Sequence, residues 1–326
     1  MKSSLTFKEI FGLDPLDQRL REALVALRGD PETPKARFDY TSLKMMRPGL
    51  SMRLWAGQKS RGAHVAIYNL FNHRQPPPAL GWSVRVTDVL DFRGRKLTYD
   101  SHNGTDFAVA PGTRVCASAA GTIMRISREF NRGGLKIFID HGRGLCTTYN
   151  HLGRAFVTVG QRVSRGELIA LAGYSGLDGL LTFPWGAPHV HFNVWLNGQY
   201  VDPFASECAL VSQPQSIWRQ NNRPLPTQPG KSHCVDAFDD APTTQWNEES
   251  IARGIADCLH EPTKHELEQS PTHYEKGAAL LFFQQYFPTR FARIHDLYTQ
   301  HFEREQRLDL PFFAEDFSGV YFPDEG

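Results

Sequence analysis

Three short stretches between Ser101 and Pro203 bring together side chains that bind metals and move protons: His102-Asn-Gly-Thr-Asp106, Tyr149-Asn-His151-Leu152 and His189-Val-His191-Phe192. Successive side chains of a strand point to opposite faces, so an extended H-V-H segment directs His189 and His191 the same way with Val190 packed behind them. A catalytic zinc needs three ligands from His, Asp or Glu and a fourth position open to water. His102, Asp106 and one histidine of the H-V-H pair supply that set, with His151 and the other histidine left for proton transfer. Gly104 disfavours a helix between His102 and Asp106, so a turn feeding the strand Phe107 to Ala110 is expected to bring them together. No H-E-x-x-H occurs, which excludes the design in which a glutamate on a metal-binding helix is the base.

Around these stretches, residues 82–203 read as short strands between glycine turns, a mostly antiparallel β-meander. The predicted fold class is a mainly β catalytic core, an antiparallel sheet with a substrate groove. An N-terminal α/β extension and a C-terminal helical region flank it, making the chain α+β overall. Residues 1–81 form the extension, 82–205 the core, and 206–326 the linker and helices. In the extension, Leu16, Leu20, Ala23, Leu24 and Leu27 mark an amphipathic helix with Asp14 as its cap and Gly29 past its end. The β-prone run His64 to Asn72 follows, flanked by His64 and His73, which read as structural. Ser212 to Gly230, rich in Gln, Pro and Asn, reads as a linker or an extended wrap. Beyond it Trp246–Leu259, Pro271–Phe287 and the spacing of Phe291, Ile294, Leu297, Tyr298 and His301 predict a helical hairpin. Phe282, Phe283, Tyr286 and Phe287 are assigned to its core.

The order of motifs resembles the lysostaphin/LytM-type zinc endopeptidases, which hydrolyse peptidoglycan. It runs through His102-x-x-x-Asp106, Gly112-Thr-x-Val-x-Ala117, Ile139-Asp-His-Gly142, Tyr149-x-His151-Leu152, Val159-Gly-Gln-x-Val163, Gly173-x-Ser175-Gly176, His189-x-His191-Phe192 and Asp202-Pro203. The resemblance covers about a third of the chain. It implies Zn2+ held by His102, Asp106 and His191, with His151 and His189 flanking a water as general base and oxyanion stabiliser. The implied substrate is the peptide of peptidoglycan cross-links or stem peptides. His141 takes a structural role in the same pattern. Tyr149 is expected near the groove as a substrate contact or a packed aromatic, and Asn193, where the family commonly has Glu, near the ligands. The loop Leu177 to Pro188 is longer and more apolar than the family's, and is expected either to wall the groove or to pack against the added terminal regions. The alternatives are a non-catalytic peptidoglycan-binding or regulatory domain of the same fold and a non-haem iron oxygenase, since two His and a carboxylate also make an iron triad.

The 36 basic and 35 acidic residues of the 326 leave a formal charge of +1, which offers no net field for nucleic acid. No apolar run is long enough for an integral membrane segment. The five cysteines, Cys116, Cys146, Cys208, Cys234 and Cys258, are odd in number and widely spaced, so no disulfide framework is expected. No export signal is visible in Met1 to Leu13. The localisation that follows is cytoplasmic, or periplasmic or extracellular by a signal-independent route. The C-terminal helices are a possible surface for a protein partner.

Overall fold

The computed structural model describes residues 4–59, 62–207, 215–227 and 238–325. Helix α1 (Phe7–Phe11) opens with a capping box in which the Thr6 hydroxyl accepts from the Glu9 amide and the Glu9 carboxylate from the Thr6 amide. Helices α2 (Leu16–Arg28) and α3 (Pro48–Trp55) follow, then strand β1 (His64–Asn69). The middle of the chain is a run of strands, β2 (Thr105–Ala108), β3 (Arg114–Cys116), β4 (Gly121–Glu129), β5 (Gly134–Asp140), β6 (Leu145–Ala155), β7 (Arg162–Val163), β8 (Leu168–Ala172), β9 (His189–Leu196) and β10 (Gln199–Val201). One short helix, α4 (Leu177–Thr182), interrupts them. After β11 (Pro226–Thr227) come α5 (Glu248–Ala256), α6 (Glu261–Gln269), α7 (His273–Tyr286), β12 (Leu310–Phe313) and β13 (Gly319–Tyr321). Among the described residues no helix is long and apolar enough to cross a membrane.

The strands join in the order β13-β1-β2-β9-β6-β5-β4-β7, antiparallel throughout except for β13, which runs parallel to β1. The sheet therefore crosses both boundaries expected from the sequence, because β1 lies before residue 82 and β13 after residue 205. One face packs on a core of Ile67, Phe107, Ile137, Tyr149, Val190 and Phe192, joined by Trp218 and Phe312 from the far end of the chain. The other face is shared. Phe138, Cys146 and Trp195 sit beneath α5, α6 and α7, packed against Phe282, Phe283 and Leu281, while the polar residues of the same face are left for the site. Asp140 at the end of β5 ties the C-terminal region down, accepting from the Thr244 amide at 2.7 Å and the Tyr274 hydroxyl at 2.9 Å.

Several elements differ from the sequence reading for identifiable reasons. Helix α2 forms where expected, with Gly29 as its C-cap, but Pro15 occupies the N-cap; Asp14 gives the helix its backbone carbonyl, to Arg19, while its carboxylate pairs with Lys8. The leucine stripe does not face the core. Leu20 is 58% exposed, whereas Arg19 is 4% exposed and bonds Glu22 and the Arg128 carbonyl. Ala23 and Ala26 supply the close approach to Phe130 and Leu177, so the helix packs by its small side.

In the C-terminal region, residues 291–301 are not helical, although Phe291, Leu297 and Tyr298 are buried. Their backbone is satisfied from outside, with Ala292 donating to the Asp257 carbonyl and Asn247 to that of Leu297, so no helix is needed. The unforeseen helix α6 buries only Thr263 and Leu267, too few apolar positions to leave a period. Of the stretch read as a linker or an extended wrap, residues 215–227 wrap onto the core, with Ile217 and Trp218 fully buried. The rest of it lies outside the described residues, as do Cys208 and Cys234. Cys116, Cys146 and Cys258 are buried free thiols.

His141 holds the turn after β5, its Nδ1 2.8 Å from the Ala120 carbonyl and its Nε2 2.8 Å from the Thr147 hydroxyl. Burial pushes its imidazole down to about 3, against about 6.5 in an unfolded chain. Between these values the unfolded state takes up a proton that the folded state does not. This contribution is therefore intact above about pH 6.5 and lost as pH falls toward 3. Urea unfolding from pH 7 to pH 4 is expected to show stability falling by an amount on the order of a few kcal/mol, and less steeply in His141→Gln. Equal slopes in the two proteins would exclude this source.

Candidate metal centre

Strand β9 lies between β2 and β6, and its register sets the site. His191 stands opposite Asp106 on one side and Asn150 on the other, while His189 stands opposite Ala108. Alternation then turns His189, His191 and Asn193 to one face and Val190, Phe192 and Val194 into the core, as the H-V-H pattern predicts.

His102 arrives from the turn before β2. Its Nδ1 lies 2.6 Å from the Leu70 carbonyl, an acceptor, so the ring proton sits there and the Nε2 lone pair faces the site. For His191 the deciding neighbours are Asn103 and Asn193. The Asn193 amide donates to the Asn103 carbonyl at 2.8 Å and to Asn103 Oδ1 at 3.0 Å, which uses both its protons. Although Asn193 Nδ2 is also 2.9 Å from His191 Nε2, that nitrogen's own proton goes to Asn103 Oδ1 at 3.0 Å, leaving the Nδ1 lone pair toward Asp106.

Three donor atoms consequently converge, all buried. His191 Nδ1 is 2.7 Å and His102 Nε2 3.0 Å from Asp106 Oδ1, and the two nitrogens are 3.2 Å apart. Ligands about 2.0 Å from a tetrahedral zinc lie about 3.3 Å from one another. The set fits that ion in donor type, in spacing and in its three lone pairs, which repel unless a cation stands between them. Asp106 Oδ2 is held by the Asn69 amide at 2.8 Å. Burial pushes the Asp106 carboxyl up, but the surrounding histidines outweigh it and hold the group well below the usual carboxylate range. Burial lowers His191 to about 4, and lowers His189 against the pull of Asp106.

His151 joins the site through an irregularity of the backbone. In β6, strict alternation would place residues 149 and 151 on the core face together. His151 has a φ of +59°, a left-handed conformation uncommon outside glycine, which swings its side chain to the site. Its amide bonds the Gly133 carbonyl, and its Nδ1 donates to the Ser175 carbonyl at 2.8 Å, leaving Nε2 free, 3.4 Å from Asp178 Oδ2. The His151 and His189 rings are 4.7 Å apart. Tyr149 keeps the alternation that His151 breaks and so is not a substrate contact. It is fully buried against Phe192, its hydroxyl accepting from the Ser118 amide at 2.9 Å. Asn193 is likewise sealed from solvent, bracing Asn103 and His191. His73 is elsewhere, 3.0 Å from Asp202.

The sequence reading did not include the polar frame of the site. From β1 come Asn69 and Tyr68, whose hydroxyl is 2.7 Å from His189 Nδ1. From α7 comes Tyr286, which donates to the side-chain oxygens of Asn150 and Asn193. The polar pair Tyr-Asn closing the apolar run of β1 was the one visible signal. The site opens on a cavity of about 350 Å³. His151, His191 and Asn150 line it, with Phe38 and Trp82 from the N-terminal half and Tyr286 and Phe287 from the C-terminal region. The apolar loop does both things expected of it. Leu177 and Asp178 line the cavity, while Phe183 stacks edge-on against Trp55 and Phe11, and Ser51 bonds the Pro184 and Gly186 carbonyls.

Residues 100–203 match the family model described as Peptidase family M23. The chain carries an M23 domain of the LytM type over that stretch. A protein of Haemophilus influenzae named as an uncharacterized metalloprotease is 37% identical over 102 residues, 31% of this chain and 20% of its own length. The peptidoglycan DD-endopeptidase ShyA of Vibrio cholerae is 36% identical over 111 residues, 34% of this chain and 24% of its own. Among solved structures, the catalytic domain of lysostaphin from Staphylococcus simulans is similar with 30% identity at a TM-score of 0.28, over 32% of this chain and 77% of that domain. The matched stretch thus spans a fifth to a quarter of these two curated relatives.

A site of this kind should announce its ion in stability. One equivalent of Zn2+ added to the chelator-stripped protein is expected to raise its unfolding temperature, because an ion bound only by the folded state stabilises it. Asp106→Asn and His191→Ala should each abolish the rise, and an unchanged rise in both would place the ion elsewhere.

Proposed function

We propose that this protein is a zinc-dependent metalloendopeptidase that hydrolyses peptide bonds in the cross-links or stem peptides of peptidoglycan. The observation that carries the reading is the meeting of His102 Nε2, Asp106 Oδ1 and His191 Nδ1 within 3.2 Å, beside two further imidazoles at the edge of a cavity. The M23 match and the name of the Vibrio cholerae relative support the substrate class.

His102, Asp106 and His191 would hold the metal. Bound there, zinc supplies a Lewis acid for a carbonyl oxygen and lowers the pKa of a water toward neutrality. His151 acts as general base. Its proton on Nδ1 is committed to Ser175, so the free Nε2 accepts the proton of the attacking water and returns one to the leaving amine. His189 serves the oxyanion. Its Nδ1 lies 2.7 Å from the Tyr68 hydroxyl and 2.9 Å from the Ala187 carbonyl, a pair of contacts that fixes the ring with Nε2 directed into the site. Burial raises the Tyr68 phenol well above its ordinary value, so it remains a donor throughout the working range. Asn69, Asn193 and Asn103 fix the orientation of the ligands.

The test is hydrolysis of purified muropeptides and short glycine-rich peptides by the zinc-loaded chain, with products followed by mass spectrometry. His151→Ala and His189→Ala are each expected to lower turnover by roughly 10²- to 10⁴-fold while zinc content stays at one equivalent. Stoichiometric zinc without turnover of any substrate would overturn the reading in favour of a binding module.

A further inference from the structure

The cavity contains one cation that forms no ion pair among the described residues, although the Asp178 carboxylate lines the same cavity and favours its charge. Among the described residues lining it, Arg132 is the sole Lys or Arg. It lies in the turn between β4 and β5, next to Gly133, whose carbonyl accepts from the His151 amide at 2.8 Å, so guanidinium and imidazole hang from adjoining backbone. Of the neighbouring cations, Arg125 is paired with Glu266 and Lys136 with Glu129, while Arg290 bonds the Thr33 and Thr263 hydroxyls. The single hydrogen bond of the Arg132 guanidinium among the described residues runs from Nη1 to the carbonyl of Asn131, at 3.2 Å.

Two aromatic rings hold the guanidinium without using its N–H groups. Trp82 comes from one wall and Phe287 from the other, each with its ring centre 5.8 Å from the Arg132 Cζ. Burial and the nearby Arg290 lower its pKa to about 10, which still leaves it charged at neutral pH. The guanidinium is half-buried, so its unused donors remain open to an acceptor that enters the cavity. Its planar fork suits a carboxylate, which can accept two parallel bonds from it.

We propose that Arg132 is a specificity-determining residue that binds a free carboxylate of the peptide lying in the cleft. The protein thereby selects acidic peptides over neutral ones of the same shape. This rests on the reading of the cavity as a peptide site, and the experiment separates the two ideas. The binding probe is an uncross-linked peptidoglycan stem tetrapeptide, which lacks the cross-link, compared with the same peptide after its carboxylates are converted to carboxamides.

By calorimetry, the zinc-loaded full-length chain is expected to bind the acidic form roughly 10- to 100-fold more tightly than the amidated form. Arg132→Gln should bind both forms with the weaker affinity, and Arg132→Lys should restore part of the difference. Equal affinities in the wild type, or undiminished discrimination in a folded Arg132→Gln, would overturn the proposal. Selective binding without hydrolysis of cross-linked muropeptides would sink the hydrolase reading and leave the carboxylate site standing. Hydrolysis of acidic and amidated cross-linked muropeptides at equal kcat/KM, unaltered in Arg132→Gln, would do the reverse.

Discussion

A carboxylate withdrawn from water is tolerable only when every side of it is answered, and Asp106 is the place where this chain meets that demand. Its Oδ2 accepts from Asn69 on β1, while its Oδ1 converges with His102 in the turn before β2 and His191 on β9 on the place a cation would take. These segments lie far apart in sequence and are adjacent only because the sheet is ordered β1-β2-β9. A register slip of one residue in β9 would send both of its histidines into the core and Val190 and Phe192 into the site. The aromatic packing behind the sheet, Phe192 against Tyr149 and Trp218, therefore guards the chemistry on its front.

The two terminal regions build the environment of this centre. Helices α5 to α7 cover the part of the site's own face that carries Phe138 and Trp195, and Tyr286 at the end of α7 reaches the Asn150 and Asn193 side chains. From the other side, the N-terminal segment meets the turn after α7. The Thr289 hydroxyl donates to the Glu32 carbonyl at 2.6 Å, and Arg290 to the Thr33 hydroxyl at 3.2 Å. Both regions thus contribute wall residues to one cavity, and their mutual contact lies outside the M23 stretch.

What was legible in the sequence is what depends on local geometry. Period-two alternation puts His189 and His191 on one face without any knowledge of the fold, and the succession of motifs places His102, Asp106 and His151 beside them. What escaped depends on events that leave no periodic trace. The positive φ of His151 separates it from Tyr149, which alternation alone would keep at its side. The partnership of β1 with β2 is a long-range pairing, so Tyr68 and Asn69 read as the end of an apolar run. The leucines of α2 face outward because a buried Arg19 and two alanines win the contact, a tertiary choice that apolar periodicity misreads. Residues 291–301, which are not helical, imitate helical spacing for a similar reason, since their buried side chains are reached from a backbone bonded to other segments.

The parallel pairing of β1 with β13 also orders events in time. β1 is made early and is needed at once by Asp106, yet its outer edge is covered only by residues 319–321, about 250 positions later. A ribosome releasing this chain would hold β1 with one bare hydrogen-bonding edge, of the sort that invites wrong partners, until residues 319–321 had emerged. Tyr286 arrives almost as late. The chain can therefore assemble its histidines long before the frame that steadies them is complete, and the fully braced centre waits for Tyr286 and β13.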